Sequence, residues 1–503
     1  VALGLGIGLG VKGGGGSSST PAPQDADATN VPTAEHVPEE VTLLQGLVPA
    51  STLQSIMDDP YSAQAQAYEW MLEDLYLNPG RDEQRTIQRF FLATLYYATK
   101  GDFWHNNEGW LNHTLHECSW FSKPGFGVEN MDTITYVTHD YPNPCQWPST
   151  NVPRGEEEMM PQPYQHVWLY ENNLQGSVPP EIHLLAPTLR SLSIYNNEVT
   201  GPIPTQVGLL SHLVAVNAGG TTLSGGIPSE LGMLTLEMFS LAIINSGLQG
   251  TVPSEIGQMT ALNHFLLEGN HLTGSIPSQV AHLTNLRYFY LDQNMMTGTI
   301  PSSIGGWTHL NQLMMDQNSW SGTLPTEVGL LEDLIVMALY VNELTGPIPS
   351  ELGMLSVIEL LYIDGNHFTG TIPTELGPKW ETMFYLEFAD NELTGTLPSE
   401  LALCPNLKKL TAGKNTLTGT IPAAIAQLPF LQRIHLEANQ LTGSIPNVDY
   451  PEPFRKLVLN DNFLTGPIPL DLVNSTGLSN LSLQNNHLSG SIPLEFSLLE
   501  KLE

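Results

Sequence analysis

Fourteen times along this chain, at intervals of 23 to 25 residues, the sequence returns to one phrase, of which Asn270 to Pro277 (NHLTGSIP) is a clean copy. Aligned on the asparagine, the copies fall at Asn172, Asn197, Thr221, Ser246, Asn270, Asn294, Asn318, Asn342, Asn366, Asn391, Asn415, Asn439, Asn462 and Asn486. So short and regular a period is the mark of a solenoid, in which each copy is one coil stacked on the last. A single coil cannot bury its apolar edge, whereas a stack shares a continuous core. The predicted fold over residues 164–503 is therefore an α/β solenoid of about 14 coils, with parallel strands lining a concave face. At about 4.8 Å per strand that face runs roughly 65 Å.

Each position in the phrase has a physical job. Leu262, Phe265 and Leu267 are spaced as a short strand with one face turned inward. The asparagine follows where the chain turns away, and its amide can satisfy backbone groups of that turn and of the adjacent coil. Stacked, these residues predict an asparagine ladder. Thr221 and Ser246 offer only a hydroxyl, so coils three and four are expected to be the softest. Gly274 permits a tight bend, Ile276 points inward, and Pro277 is expected to end strand pairing.

LTGSIP, LTGPIP and LTGTIP, with SELG, TELG and TEVG between them, resemble the plant-type leucine-rich repeats of receptor-like proteins and polygalacturonase inhibitors. The match covers about two thirds of the chain. It implies a right-handed leucine-rich-repeat superhelix with a parallel concave sheet and a helical amino-terminal cap. It says less about function, because one solenoid serves receptors, inhibitors and adhesive proteins alike. The stretch LATLYYATKGDFWHNNEGWL followed by HECSWF is similar to the cap of that family, and LQSIMDDPYSAQAQAYEWMLEDLYL resembles the extension of single-pass microalgal leucine-rich-repeat proteins. The resemblance implies a disulfide between Cys118 and Cys145, although 27 residues separate them where the plant pattern sets its pair close together. A disulfide belongs to an oxidising compartment. Cys404, within the array, reads as a buried free thiol. No CxxC or HExxH motif points to a metal, and no cofactor is implied.

Before the cap, residues 1–12 are apolar up to Lys12 but too short to cross a bilayer, which needs about 20 residues. They are expected to be the end of a transmembrane helix continuing upstream, or else the tail of a signal segment. The last coil has no capping segment, so the natural chain is expected to continue there or to meet a partner. Residues 13–40 read as a disordered Gly/Ser/Pro linker, and residues 41–163 as the helical, disulfide-bonded cap. Within it, Ser51 with Gln54 suggests a capping box, and Ser62 caps a helix presenting Tyr68, Met71, Leu72 and Leu75. After Asn78-Pro79-Gly80, Asp82 opens a third helix with Ile87, Phe91, Thr94, Leu95 and Ala98 on one stripe, ending at Gly101.

The concave face can be read because strand side chains alternate. Coils five to nine offer Leu266, Tyr290, Met314, Ala338 and Tyr362 within the strand, and Glu268, Asp292, Asp316, Tyr340 and Asp364 two residues on. Tyr288 and Tyr385 flank the first column, while Glu387 and Asp390 extend the acids. Crowded carboxylates repel unless something compensates. That compensation is a cationic peptide, a calcium ion bridging Asp292 and Asp316, or hydrogen bonds to a carbohydrate; otherwise the positions are merely solvated. Toward the carboxyl end Lys409, Lys414, Arg433 and Lys456 face inward beside His435, either for an anionic group or in balance with Glu437 and Asp461.

With 51 acidic against 17 basic residues, nucleic acid and anionic membrane surfaces are poor partners. Catalysis is not expected: Asp292 and Asp316 are close enough for glycoside chemistry, but a shallow open sheet is expected to lack a pocket able to raise a carboxyl's pKa. Sequons at Asn112, Asn474 and Asn480 permit glycosylation of a secreted or surface chain. Together these features predict the extracellular part of a single-pass, receptor-like cell-surface protein, with a peptide, protein or carbohydrate ligand and a possible co-receptor. A secreted inhibitor of wall-degrading enzymes and an adhesive matrix protein are the alternatives.

Overall fold

The computed structural model describes residues 43–73, 83–107, 110–111 and 165–502. The chain divides into two units, Val1–Leu43 and Leu44–Glu503, and all that follows concerns the second. The expected anchor and linker, the Asn78-Pro79-Gly80 break, Leu75, Asp82, Asn112, Cys118 and Cys145 lie outside the described residues.

Each coil contributes one three-residue strand, from His166–Trp168 to Asn480–Ser482, to a single 14-stranded sheet that follows chain order. All the pairings are parallel and aligned coil by coil, so Phe265 stands opposite Phe289, which stands opposite Leu313. This register stacks the inward residues into a continuous apolar column. The Phe265 and Phe289 rings lie 5.4 Å apart, and Trp307 packs 4.7 Å from Phe289, all three fully buried.

The asparagine ladder forms as expected. Asn294 Nδ2 donates to Leu291 O and Asp292 O in its own coil and to Leu267 O in the preceding one, while its Oδ1 accepts from Leu272 N at 2.9 Å. One side chain thus satisfies backbone groups that the turn leaves without partners. The residue just before each rung carries a left-handed backbone, at φ 52° in Gln293, Gln317 and Val341. Glycine supplies that conformation in coils three, five and nine, at Gly220, Gly269 and Gly365, but most coils impose it on an ordinary side chain.

The stretch after the asparagine departs from expectation. LTGxIP segments of coils four to ten build a second, unexpected seven-stranded parallel sheet; the closing proline still lies past each strand, as expected of Pro277 after His271–Gly274, while Pro347, at the variable position, lies within Glu343–Pro347. Proline is tolerated because only its missing N–H is lost from the ladder, and these strands are short. The glycine of the motif has two reasons to be glycine. At Gly322 φ is +74°, and a Cβ would meet Thr299 Cγ2 of the preceding coil at 2.8 Å. The methyls of Thr323 and Thr396 fill the equivalent place over Gly346 and Gly419.

The cap contains α1 (Ala50–Asp58), α2 (Ala63–Leu72) and α3 (Glu83–Ala98). Ser62 caps α2 by accepting from Ala65 N, as its position suggested. Ser51 is not a cap: α1 begins at Ala50 after Pro49, so Ser51 lies in its first turn and Gln54 turns to Asp58. Tyr68 and Met71 are buried, but Leu72 is 61% exposed at the end of α2, outside the stripe it was expected to share. In α3, Phe91, Thr94 and Leu95 are buried, and the helix is covered on nearly every side. The cap continues the solenoid's own bonding: Asn106 N donates to Asn172 Oδ1 and Gln175 N to Thr99 O. Deeper in, Thr52 donates to the buried Glu181.

Candidate ligand-binding site

Residues two positions beyond the strands of coils five to nine form one row, joined by backbone bonds. Gly269 N donates to Asp292 O, Gln293 N to Asp316 O, Gln317 N to Tyr340 O and Val341 N to Asp364 O, each at 2.9 to 3.0 Å. Glu268, Asp292, Asp316, Tyr340 and Asp364 therefore stand on successive rungs, where the alternation of the sequence set them.

Their environment was not legible. Asp292 is 7% exposed and Asp316 only 1%. Among the described residues none of Glu268, Asp292, Asp316 or Asp364 makes an ion pair. Asp316 Oδ2 accepts from Gln317 Nε2 at 3.2 Å, whereas Asp316 Oδ1 and Glu268 Oε2 are buried without a hydrogen-bond partner. Burial of the charge is the main reason the carboxyls hold their protons tightly. It raises Asp292 to about 7, helped by Asp316, and Glu268 to about 7, helped by Asp292. Asp364 rises to about 6 through burial and then Glu387. Asp316 is raised by burial and held partly down by hydrogen bonds from Tyr340 and Gln317. The expectation that an open sheet could not raise a carboxyl is overturned: stacking of coils buries what a flat sheet would leave wet.

The tyrosines border this row. Tyr288 lies against Tyr290 edge to face at 6.3 Å, and Tyr340 meets Tyr362 in the same way at 6.5 Å. Burial pushes the Tyr340 and Tyr362 hydroxyls up to about 12, so both are neutral donors. Tyr290 donates to Gln312 Oε1. Met314 is half-buried beside them and Tyr385 is exposed. Leu266, expected to face solvent, is only 2% exposed, being flanked in register by the larger Tyr290; Ala338 is buried as well. Neither offers contact surface. Three participants went unremarked in the sequence: His264, stacked on Tyr288 at 4.8 Å, Gln312, and Gln317, which joins Asp316 to the Tyr340 hydroxyl. His264 and Gln312 occupy the first position of their strands, so reading that column in full would have found them.

At the carboxyl end Lys409, Arg433 and Lys456 stand in register on adjacent strands. Lys409 Nζ lies 2.7 Å from Glu387 Oε1 and Lys414 Nζ 3.0 Å from Asp390 Oδ2. The internal balance thus runs to the preceding coil, not to Glu437 and Asp461. His435 titrates lower than usual, first through burial and then through Lys409, Lys456 and Arg433. Asn474 is exposed, whereas Asn480 is half-buried in the last strand of the large sheet. Cys404 is a fully buried free thiol. Among the described residues no group of three or more His, Cys, Asp or Glu is placed to hold a metal ion.

The Leucine Rich Repeat family model matches residues 285–307 and 477–499. Among curated proteins none matches the sequence. The fold is similar to that of a TDR receptor, with 28% identity and a TM-score of 0.64 over 67% of this chain and 58% of that one. It is similar too to the plant peptide hormone receptor RGFR1 in complex with RGF2, at 29% identity and a TM-score of 0.60, over 66% of this chain and 61% of that one. The ectodomain of the Arabidopsis receptor kinase HAESA, in complex with an IDA peptide hormone, is 28% identical with a TM-score of 0.52, over 66% of this chain and 64% of that one. The chain spans less than two thirds of the length of each of these neighbours.

Proposed function

We propose that this chain, a leucine-rich-repeat solenoid resembling the ectodomains of plant receptors, is the ligand-recognition part of a receptor-like cell-surface protein. Its ligand is a peptide or protein segment that places a Lys or Arg side chain on the row of Glu268, Asp292 and Asp316. The observation that carries this reading is a row of carboxylates, Asp292 and Asp316 buried and Glu268 half-buried, with no cation of their own among the described residues and bordered by tyrosines. Leaving such charges unmatched is costly, whereas a guanidinium offers donors in the geometry carboxylates accept. Tyr288, Tyr290, Tyr340, Tyr362 and Tyr385 supply rigid amphipathic contact area of the kind that dominates peptide recognition. Two neighbours are described with bound hormones, RGF2 and an IDA peptide, which favours a peptide over a carbohydrate.

In this reading the solenoid lies outside the cell, attached through the apolar segment over residues 1–12, and a co-receptor completes the assembly. No helix among the described residues is long and apolar enough to cross a membrane. The test is selection from a display library of random peptides on the whole chain, followed by calorimetric titration of the enriched sequences. Enrichment in Lys and Arg is expected, with affinity lost in a chain carrying Asp292→Asn, Asp316→Asn and Tyr290→Phe together. Enrichment of acidic or uncharged sequences, or unchanged affinity in that variant, would refute the reading.

A further inference from the structure

Coil three is built unlike its neighbours in four independent respects. The ladder is the first: Leu174 N and Leu248 N each find an asparagine Oδ1 in the next coil, but Thr221 and Ser246 make no such bond to Val199 N or Leu223 N. The two hydroxyls instead bond each other at 3.0 Å and both turn to Ala218 O. Second, the outer sheet thins here: the strands Thr222–Leu223 and Gln249–Gly250 belong to different sheets, and the backbone bond from Gln249 N to Gly225 O joins the two coils at this level. Third, the core is underfilled. Ala218 occupies the position held by Leu267, Leu291 and Met315 in coils five to seven, and an apolar cavity lies around it, lined by Val178, Ile194, Val207, Val216 and Leu241. Fourth, the segment reads AGGTTLSGG, with Gly219, Gly220, Gly225 and Gly226 adding backbone freedom.

The large concave sheet runs through without a break, since Ala215–Asn217 pairs in full with Ser191–Ser193 and with Ser240–Ala242. A stack whose inner sheet is continuous, and whose outer sheet, ladder and core are all weakened at one level, bends there by opening on its outer side.

We propose that coil three is a joint, about which the segment made of the cap and coils one and two swings relative to coils four to fourteen with the concave sheet as the flexing leaf. The carboxylate row begins at Glu268 in coil five, so the joint sets the angle between the cap and the row without distorting the row itself. The joint rests on backbone, ladder and packing, and stands or falls independently of which ligand the row takes.

Amide hydrogen exchange on the whole chain tests it. Coil three, from Val216 to Gly226, should exchange at least about tenfold faster than coil eight, from Met337 to Pro347. Thr221→Asn with Ser246→Asn, which restores both rungs, should slow it toward the coil-eight rate. Spin labels on Gln54→Cys and Glu332→Cys, exposed positions on either side of the joint, should give a broad distance distribution that narrows in the ladder-restored chain. Labels on Glu332→Cys and Glu452→Cys, both on the carboxyl side, should give a narrow one throughout. Equal exchange in coils three and eight of the natural sequence, or equally narrow distributions for both label pairs, would overturn the joint.

Discussion

Replacing Asp292 by asparagine should stabilise this protein at neutral pH and leave it nearly unchanged in acid. The folded carboxyl releases its proton near pH 7 instead of the ordinary 3.8, mainly because it is buried. Between those values the native chain binds more protons than the unfolded one, so stability falls as pH rises through the window and levels off above it. Each pH unit of that window is worth about 1.4 kcal/mol, which makes the total cost of ionising Asp292 on the order of 4 kcal/mol. Asparagine keeps the shape and one carbonyl acceptor but carries no charge, and so escapes the cost. Urea unfolding of both chains near pH 4 and near pH 8 is the assay. The variant should gain several kcal/mol over the natural sequence at the higher pH only, and its stability should fall less steeply between the two. Parallel pH profiles would refute the argument, since they would place the carboxylate in water or beside a cation.

Affinity for a cationic peptide should run the opposite way, rising from about pH 5 to pH 8 as Asp364, Glu268 and Asp292 lose their protons. Titration at both ends of that range, with an uncharged analogue as control, checks the sign. Asn342→Ala removes Nδ2 bonds to Met315 O and Leu339 O and the Oδ1 acceptor of Trp320 N, and should cost about 3 kcal/mol in unfolding experiments. Val341 holds φ 52° with an exposed β-branched side chain, so Val341→Asn should add about 1 kcal/mol by the same measurement. Burial holds the Cys404 thiol up at about 12, so its peptide should resist alkylation in the native chain and react once the chain is unfolded in urea.

What could be read from the sequence was whatever a period fixes. A residue's place within its coil determined whether it entered the core, the ladder or the inner face, and so Asn294, Phe265 and Asp292 stand where the spacing put them. What depended on the neighbouring coil was hidden. Leu266 is covered by a residue 24 positions away, and the proton affinity of Asp292 depends on Asp316, again 24 away. The second sheet escaped notice because LTGxIP looks like a turn: Gly and Pro mark bends in single chains, but here each segment pairs with its own copy in the next coil. Ser51 shows the limit of local signals, since Pro49 opens α1 before the hydroxyl can serve as a cap.

The methyl of Thr299 resting over Gly322, and of Thr323 over Gly346, also bears on how such a gene can change. Unequal recombination that inserts or removes one whole coil returns a methyl to a glycine and an asparagine to its neighbour. Variation in steps of one coil therefore preserves both fits, and each step adds or subtracts one residue in each column of the inner face. Charge on that face becomes a discrete quantity that lineages can tune by duplication, much as a word is edited letter by letter without rewriting the page.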